Sequence, residues 1–329
     1  MKVVIIGATG ETGQSITKGL LEYPTQFDLT ALTRQSSLTS VKNQALKDSG
    51  VEVVAADLSG PEEDLVKILT GADVVIPVLD ASGLRLQIPL ANAAKKAGVK
   101  RFVPTFFATI MPPKGVLGIR ETKEDVLNHI KKIYLPYTVI DVGWWYQITP
   151  PKLPSGLIDQ FVILPVEGLN GDGTVPSAIT DSRDIGRYVA KIIADPRTLN
   201  KSVFAYSEVL TQREIFQIME EASGEKLDYN YLHYLADKDA QISNENATAR
   251  LNSAQKAAEA AGLEDKGAQQ ALAAAQYTYS TGVRGDNTPE YARYLGYLDG
   301  KELYPDFDFI PFRKYVSELI DGTARRAYA

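Results

Sequence analysis

The sequence predicts an α/β protein built on a parallel sheet with helices on both faces. Three observations carry that reading. Short apolar runs alternate with amphipathic stretches of helical period through residue 143, the rhythm of βαβ units. A glycine-rich segment, Gly7-Ala8-Thr9-Gly10-Glu11-Thr12-Gly13, follows the first apolar run directly. The 329 residues are 44% hydrophobic and 23% charged, ordinary globular usage that excludes a disordered, collagen-like or coiled-coil chain.

Each element has its own signal. Val3–Ile6 is an unbroken β-branched run and reads as the first strand. Thr12–Tyr23 follows as a helix that puts Ile16, Leu20 and Tyr23 on one side. Phe27–Thr33 is the second strand, Leu38–Asp48 a helix and Val51–Ala55 the third strand. Gly60-Pro61 opens a helix running to Thr70, with proline where a first-turn N–H has no acceptor to lose. Asp73–Val78 is the fourth strand, Leu84–Ala97 a helix, and Arg101–Pro104 the fifth strand. Ile119–Tyr134 is a helix and Tyr137–Val142 the sixth strand. Strands this apolar are buried on both faces, as in a doubly wound, Rossmann-like parallel sheet.

Beyond Trp144 the rhythm changes. Pro150, Pro151, Pro154, Pro165 and Pro176 interrupt it, with the turn-forming Asn170-Gly171-Asp172-Gly173 among them. Helices resume at Asp184–Ala194 and Thr211–Ala222, the second opened by the capping box Thr211-x-x-Glu214. Asp237–Gln276 is rich in Ala, Gln, Asn and Glu and reads as exposed helices with a mobile join. Residues 1–143 are thus expected to form a dinucleotide-binding domain. Residues 144–329 are expected to form a smaller α-rich substrate lobe, partly threaded through the sheet.

Composition narrows the function. The formal charge is −6 and the pI about 5.2, which is not the basic footprint of a nucleic-acid binder. Cysteine is absent, excluding disulfides, thiolate nucleophiles and cysteine-based zinc sites. With His129 and His233 as the two histidines, no metal centre is expected. A signal peptide needs an apolar stretch of about 7–15 residues and a membrane helix about 20. The N-terminal run stops at Gly7, so a cytoplasmic protein with no membrane partner is expected and the oligomeric state is left open.

The glycine segment sits at a strand-to-helix junction, where chemistry demands glycine. A tight turn needs one, close approach of backbone to a pyrophosphate needs another, and helix–strand packing needs a third. The helix N-terminus offers free N–H groups and a positive dipole to the anion. Gly7, Thr9, Gly10, Glu11, Thr12 and Gly13 are therefore candidate cofactor contacts. An NAD site places a carboxylate about 20 residues beyond such a loop, but here the second strand ends in Arg34. A guanidinium suits a 2′-phosphate, which it can grip through two hydrogen bonds, so NADPH/NADP+ is expected. Lys42 can add charge and Ser36 and Ser37 hydroxyls; Asp57 after the third strand would sit near the adenine, with an acidic turn residue as the equal alternative.

The spacing Tyr-x-x-x-Lys, a catalytic pair in short-chain dehydrogenases, is expected about once by chance in this composition. It occurs at Tyr234/Lys238 and Tyr297/Lys301, both outside the βαβ region, and neither is taken as catalytic. Lys123 is more informative. It falls on the apolar stripe of Ile119, Val126, Leu127, Ile130 and Tyr134. A lysine there either snorkels to water or loses hydration and becomes a usable acid or base near neutral pH. Phe106-Phe107 after the fifth strand and Trp144-Trp145-Tyr146 after the sixth are candidate walls of a pocket for a flat, apolar substrate. Core packing is the alternative for those aromatics.

Val3–Gly13, Leu32-Thr33-Arg34, Ala93–Pro104 and Lys123-Glu124-Asp125-Val126 together resemble the isoflavone reductase-like group. These are atypical short-chain dehydrogenases that include the NmrA-like regulators. Asp195–Lys201 and Leu210-Thr211 resemble its fungal branch. The resemblance covers about two-thirds of the chain and is weakest from Asp237 to Asn287. It implies NADPH at Gly7, Gly10, Gly13 and Arg34. Lys123 matches the lysine of the family's K-x-x-[IV] helix, which implies a general acid/base, and Trp145 matches an aromatic beside the cofactor. Plant members reduce conjugated or benzylic positions of phenolic natural products.

Two departures stand out. The plant segment Pro-Ser-Glu-Phe-Gly is Pro104-Thr105-Phe106-Phe107-Ala108 here, and the family's Asn after the sixth strand is Gly143. Both remove polar groups from the substrate side, so the plant substrates do not carry over. The leading expectation is an NADPH-dependent reductase of an aromatic or polycyclic secondary metabolite. The alternatives are a non-redox cyclase or isomerase that retains NADP(H), and an NADP-sensing regulator.

Overall fold

The β-branched run Val3–Ile6 lies in β1 (Lys2–Ile6), fully buried from Val3 to Ile5, at the centre of a parallel sheet. A computed structural model describes residues 1–163, 169–170, 172–227, 229, 244–262 and 265–328. After β1 come α1 (Glu11–Leu21), β2 (Asp28–Thr33), α2 (Val41–Asp48), β3 (Glu52–Ala55) and α3 (Glu62–Leu69). Then follow β4 (Val74–Pro77), α4 (Gln87–Lys96), β5 (Arg101–Phe102), α5 (Gly118–Lys132) and β6 (Thr138–Asp141). The strands run β3-β2-β1-β4-β5, all parallel, with Val3 of β1 opposite Leu29 on one side and Val74 on the other. The order reverses between β1 and β4, the switch point at which open sheets of this kind bind ligands.

Two ends differ from expectation. Tyr23 lies past the end of α1, 40% exposed, its ring edge-on to Phe27. Tyr134 lies past the end of α5 with φ 54° and is 84% exposed, so the apolar stripe of that helix stops at Ile130. In both cases the helix ends before the next turn of the repeat.

The remaining chain adds β7 (Trp144–Trp145), β8 (Ser177–Thr180), α6 (Ser182–Ala194), β9 (Lys201–Phe204), β10 (Glu208–Leu210) and α7 (Gln212–Ser223). It continues with α8 (Asn244–Ala261), α9 (Lys266–Tyr279), α10 (Pro289–Tyr294), β11 (Leu298–Asp299), α11 (Gly300–Leu303) and α12 (Phe312–Ile320). A parallel bridge between Phe102 and Tyr137 sets β6 beside β5; β9 pairs parallel with β6 and β11 with β9. The large sheet therefore continues past residue 143, and a cut there would strip two of its strands. A second sheet, β10-β8-β7, supports the smaller lobe.

One face of the large sheet is covered by α1 and α6. Their backbones touch: a Cβ on Gly186 would lie 1.9 Å from the Ser15 carbonyl oxygen, and one on Gly19 would lie 2.2 Å from the Gly186 carbonyl carbon. Ser15 Oγ donates to the Ser182 carbonyl and accepts from the Gly186 N–H (2.5 and 3.0 Å). The other face is covered by α3, α4 and α5 around Leu65, Leu90, Phe102 and Ile130. Tyr146, Phe216, Phe312 and Tyr315 centre a third core in the lobe.

The start of the Asp237–Gln276 segment, His233, Tyr234/Lys238, Pro165 and Gly171 lie outside the described residues. So does the join at 263–264; α8 and α9 make up most of the rest of that segment. Among the described residues no helix is long and apolar enough to cross a membrane.

Candidate active site

The first βα turn opens a cleft of about 410 Å³ along the C-terminal ends of β1–β4. Its glycines have different duties. Gly7 takes φ +82°, and a Cβ there would lie 2.2 Å from the Val78 carbonyl oxygen. A Cβ on Gly13 would lie 2.1 Å from the Gly7 carbonyl oxygen, so this residue lets α1 press onto the loop. Gly10 is different: its Cβ would meet only the Gly7 oxygen at 3.4 Å, leaving the space over the helix N-terminus open. That is the arrangement an anion needs, with first-turn N–H groups lacking intrahelical acceptors.

Gly7 and Thr9 line the cleft, Gly10 caps α1, and Thr12 is buried in its first turn. The Glu11 side chain faces elsewhere. Its carboxylate pairs with Arg325 and accepts the Tyr328 N–H (3.0 Å), leaving its backbone N–H toward the cleft end of the helix. Arg34, exposed at the end of β2, lines the cleft with Ser37 and Asp57. Asp80 lines it too, and the charge of Arg34 helps hold this carboxyl below the usual range, after its bonds to Ser82 and Gly83. Lys42 is exposed on α2, outside the cleft lining.

Sequence reading missed Asn43. It is 1% exposed and donates to Thr33 Oγ1 (3.1 Å) and the Ser37 carbonyl (2.7 Å), pinning the turn that carries Arg34. Nothing in its local sequence signals that role.

Lys123 lies on the buried side of α5, 7% exposed, and donates to the Phe106 carbonyl (2.6 Å). Burial lowers its pKa to about 8; Asp141 opposes that shift and Arg120 adds to it. Thr105, one residue before its acceptor, receives the N–H of Leu79 in the cleft wall (3.3 Å). The turn that anchors the amine is thus tied to the cleft wall, while Lys123 itself is not among the residues lining the cleft.

Around it lies a network the motifs did not reveal. Arg120 donates to Asp141 (2.8 Å), Glu124 (2.9 Å) and the Tyr297 hydroxyl (2.7 Å), and Tyr297 donates to Asp141 (2.8 Å). Tyr297, set aside as half of a chance spacing, is half-buried here with its hydroxyl in this network, whereas Lys301 lies over the rings of Tyr206 and Phe309. The readable signal was Asp141, a carboxylate ending an apolar strand and so in need of a buried partner.

The candidate wall aromatics separate. Phe106 packs with Leu127 and Val139 and presents its carbonyl to Lys123. Phe107 is buried in the main core, with φ 40°. Trp144 is half-buried and packs against Tyr277 of α9, ring centroids 5.1 Å apart. Trp145 is half-buried against the main core. Tyr146 corrects the expectation: it is fully buried, its hydroxyl donates to Glu208 (2.6 Å), and it packs on Phe312, so it belongs to the lobe core and not to a pocket wall. Gly143 also acquires a structural reason. With φ +76° and a would-be Cβ 2.4 Å from the Ala178 carbonyl oxygen, no side chain fits there.

Comparison with known proteins agrees with this architecture. Residues 1–282 match the NmrA-like family. An asnovolin J 5′,6′-dehydrogenase of Aspergillus novofumigatus is 44% identical over 98% of this chain and 96% of its own length. Pinoresinol reductase 1 of Arabidopsis thaliana is 33% identical over 69% of this chain and 76% of its own. The leucoanthocyanidin reductase–NADPH complex of Vitis vinifera superposes with a TM-score of 0.77 at 22% identity, over 98% of this chain and 100% of that one. The fold is therefore Rossmann-like α/β, and the chain belongs to the NmrA-like family.

Proposed function

We propose that this chain is an NADPH-dependent oxidoreductase acting, in the cytoplasm, on an aromatic or polycyclic secondary metabolite. Lys123 gives or takes the proton that accompanies hydride transfer. The observation that carries the reading is this buried lysine, brought to a pKa of about 8, whose anchoring turn Thr105-Phe106 is hydrogen-bonded to Leu79 in the wall of the glycine-lined cleft. Relatives named as a fungal dehydrogenase and plant reductases support the reaction class.

The cleft fits a dinucleotide by its own chemistry. The open space over Gly10 and the N–H groups of α1 would hold a pyrophosphate, and Arg34 would grip a 2′-phosphate. A bound nicotinamide supplies or accepts the hydride. At pH 7 Lys123 is mostly ammonium and can protonate the oxygen or carbon that becomes negative as hydride arrives. Above its pKa the free amine can take a proton in the reverse direction. Reduction should therefore fall and oxidation rise as pH passes through about 8, while Lys123→Ala lowers kcat by about 10²–10⁴-fold. The Trp144–Tyr277 contact and the scarcity of polar groups after β5 favour a flat or polycyclic substrate.

The test is a titration with NADPH and then NADH, followed by quenching of Trp144 and Trp145. NADPH should bind at least about tenfold tighter, a difference of about 1.4 kcal/mol, and Arg34→Ala should abolish most of that preference. No binding of either nucleotide would sink the proposal.

A further inference from the structure

The turn that anchors Lys123 is held from three sides. Its Phe106 carbonyl accepts the lysine (2.6 Å), the Arg120 guanidinium lies 4.7 Å over the Phe106 ring, and the Ala108 N–H donates to Asp141 Oδ1 (3.3 Å). Between these contacts Phe107 sits at φ 40°, a left-handed conformation that a bulky residue keeps only when its surroundings impose it. The Ala108 carbonyl accepts from both Val142 and Gly143 N–H (3.0 Å each), so the end of β6 grips the turn as well.

Asp141 is the hub. One carboxylate oxygen takes the Ala108 N–H; the other takes Arg120 and Tyr297 (2.8 Å each). It is wholly buried and Arg120 is 3% exposed. A buried ion pair is weak evidence for stability, since desolvation offsets most of its attraction. Its placement against the Lys123 anchor gives it another use.

We propose that Asp141, held by Arg120 and Tyr297, is a positioning residue for Lys123, fixing the turn that anchors the amine and supplying the counter-charge to its ammonium form. The inference rests on the role given to Lys123 above. The titratable groups gathered here are Arg120 and Glu124 on α5, Asp141 on β6, Tyr297 ahead of β11 and Tyr277 on α9. Burial pushes Tyr277 up to about 12 and raises Tyr297 as well, so both stay neutral where Lys123 titrates. Asp141 favours the ammonium, Arg120 opposes it, and Asp141 has the larger effect.

The experiment follows the Lys123 ε-carbon by NMR through a pH titration of the ¹³C-lysine-labelled full chain, assigned by loss of the signal in Lys123→Ala. Neither cofactor nor substrate is needed. The wild-type midpoint should lie near 8. Asp141→Asn should lower it by about one unit or more, and Arg120→Gln should raise it. The double variant, which leaves no charge unpaired, should fall between Asp141→Asn and wild type. Shifts of the same sign in both single variants, or none, would overturn the proposal. If a single variant does not fold, an unmoved or raised midpoint in the double variant overturns it equally. Normal turnover by Lys123→Ala beside the expected shifts would instead remove the functional role of the lysine and leave its electrostatic coupling to Asp141 standing.

Discussion

At the residue scale, Lys123 trades stability for chemistry. An unfolded lysine releases its proton near 10.5 and this one near 8, a difference of about 3 kcal/mol against the charged folded form. Between those values the unfolded chain binds more protons, so wild-type stability from this group rises with pH. Lys123→Met removes that dependence. Losing the bond to the Phe106 carbonyl has its own cost, but that cost does not change with pH. Urea unfolding at pH 8 and at pH 10.5 should therefore show wild type gaining up to about 3 kcal/mol on Lys123→Met; parallel curves would mean that the folded ammonium is not desolvated. This residue was legible because helical periodicity alone puts it on an apolar face. Its partners were not. Asp141 and Tyr297 are 21 and 177 residues from Arg120 in the chain, and no local pattern brings such positions together.

At the element scale, the six strands and five helices expected before residue 143 all formed, most because periodic apolar residues are set off by glycine or proline; α2, whose buried residue is Asn43, is the exception. The short strands β7 to β11 were not read from sequence, since pairing across the fold and not a period defines them. The α1–α6 crossing was equally hidden: two glycines in separate amphipathic helices look like weak helix formers until the helices touch. Gly186→Ala puts a methyl 1.9 Å from the Ser15 carbonyl oxygen, and the backbones must separate. We expect a loss of about 3 kcal/mol, at the upper end of overpacking costs. Gly118→Ala is the control: a Cβ there meets nothing within 4 Å, and the change should be neutral or slightly stabilising. Equal melting temperatures for the two variants would mean that the helices do not cross at these glycines.

At the scale of the whole molecule, the division of labour is between surfaces and not between halves of the chain. The core that seats α1 on the sheet includes Ile185, Tyr188, Val189, Ile193, Val203 and Phe307, all from beyond residue 143. Asn287 ties the same regions together: it accepts the Ile110 N–H (3.0 Å) in the loop after β5 and donates to Ser177 Oγ and the Ala178 carbonyl (2.8 Å each) on β8. A fragment of residues 1–143 would keep every motif that marks the cofactor cleft, yet expose the glycine face of α1 and the open edge of β6. Buried apolar surface is the main driving force for folding, and an unpaired apolar edge favours aggregation. The fragment should therefore lack a cooperative urea transition and fail to bind NADPH, whereas the full chain shows both. A fragment that unfolds cooperatively and binds the nucleotide would make the first 143 residues an autonomous domain, and the contacts from Ile185 to Phe307 would then be docking between two folded units.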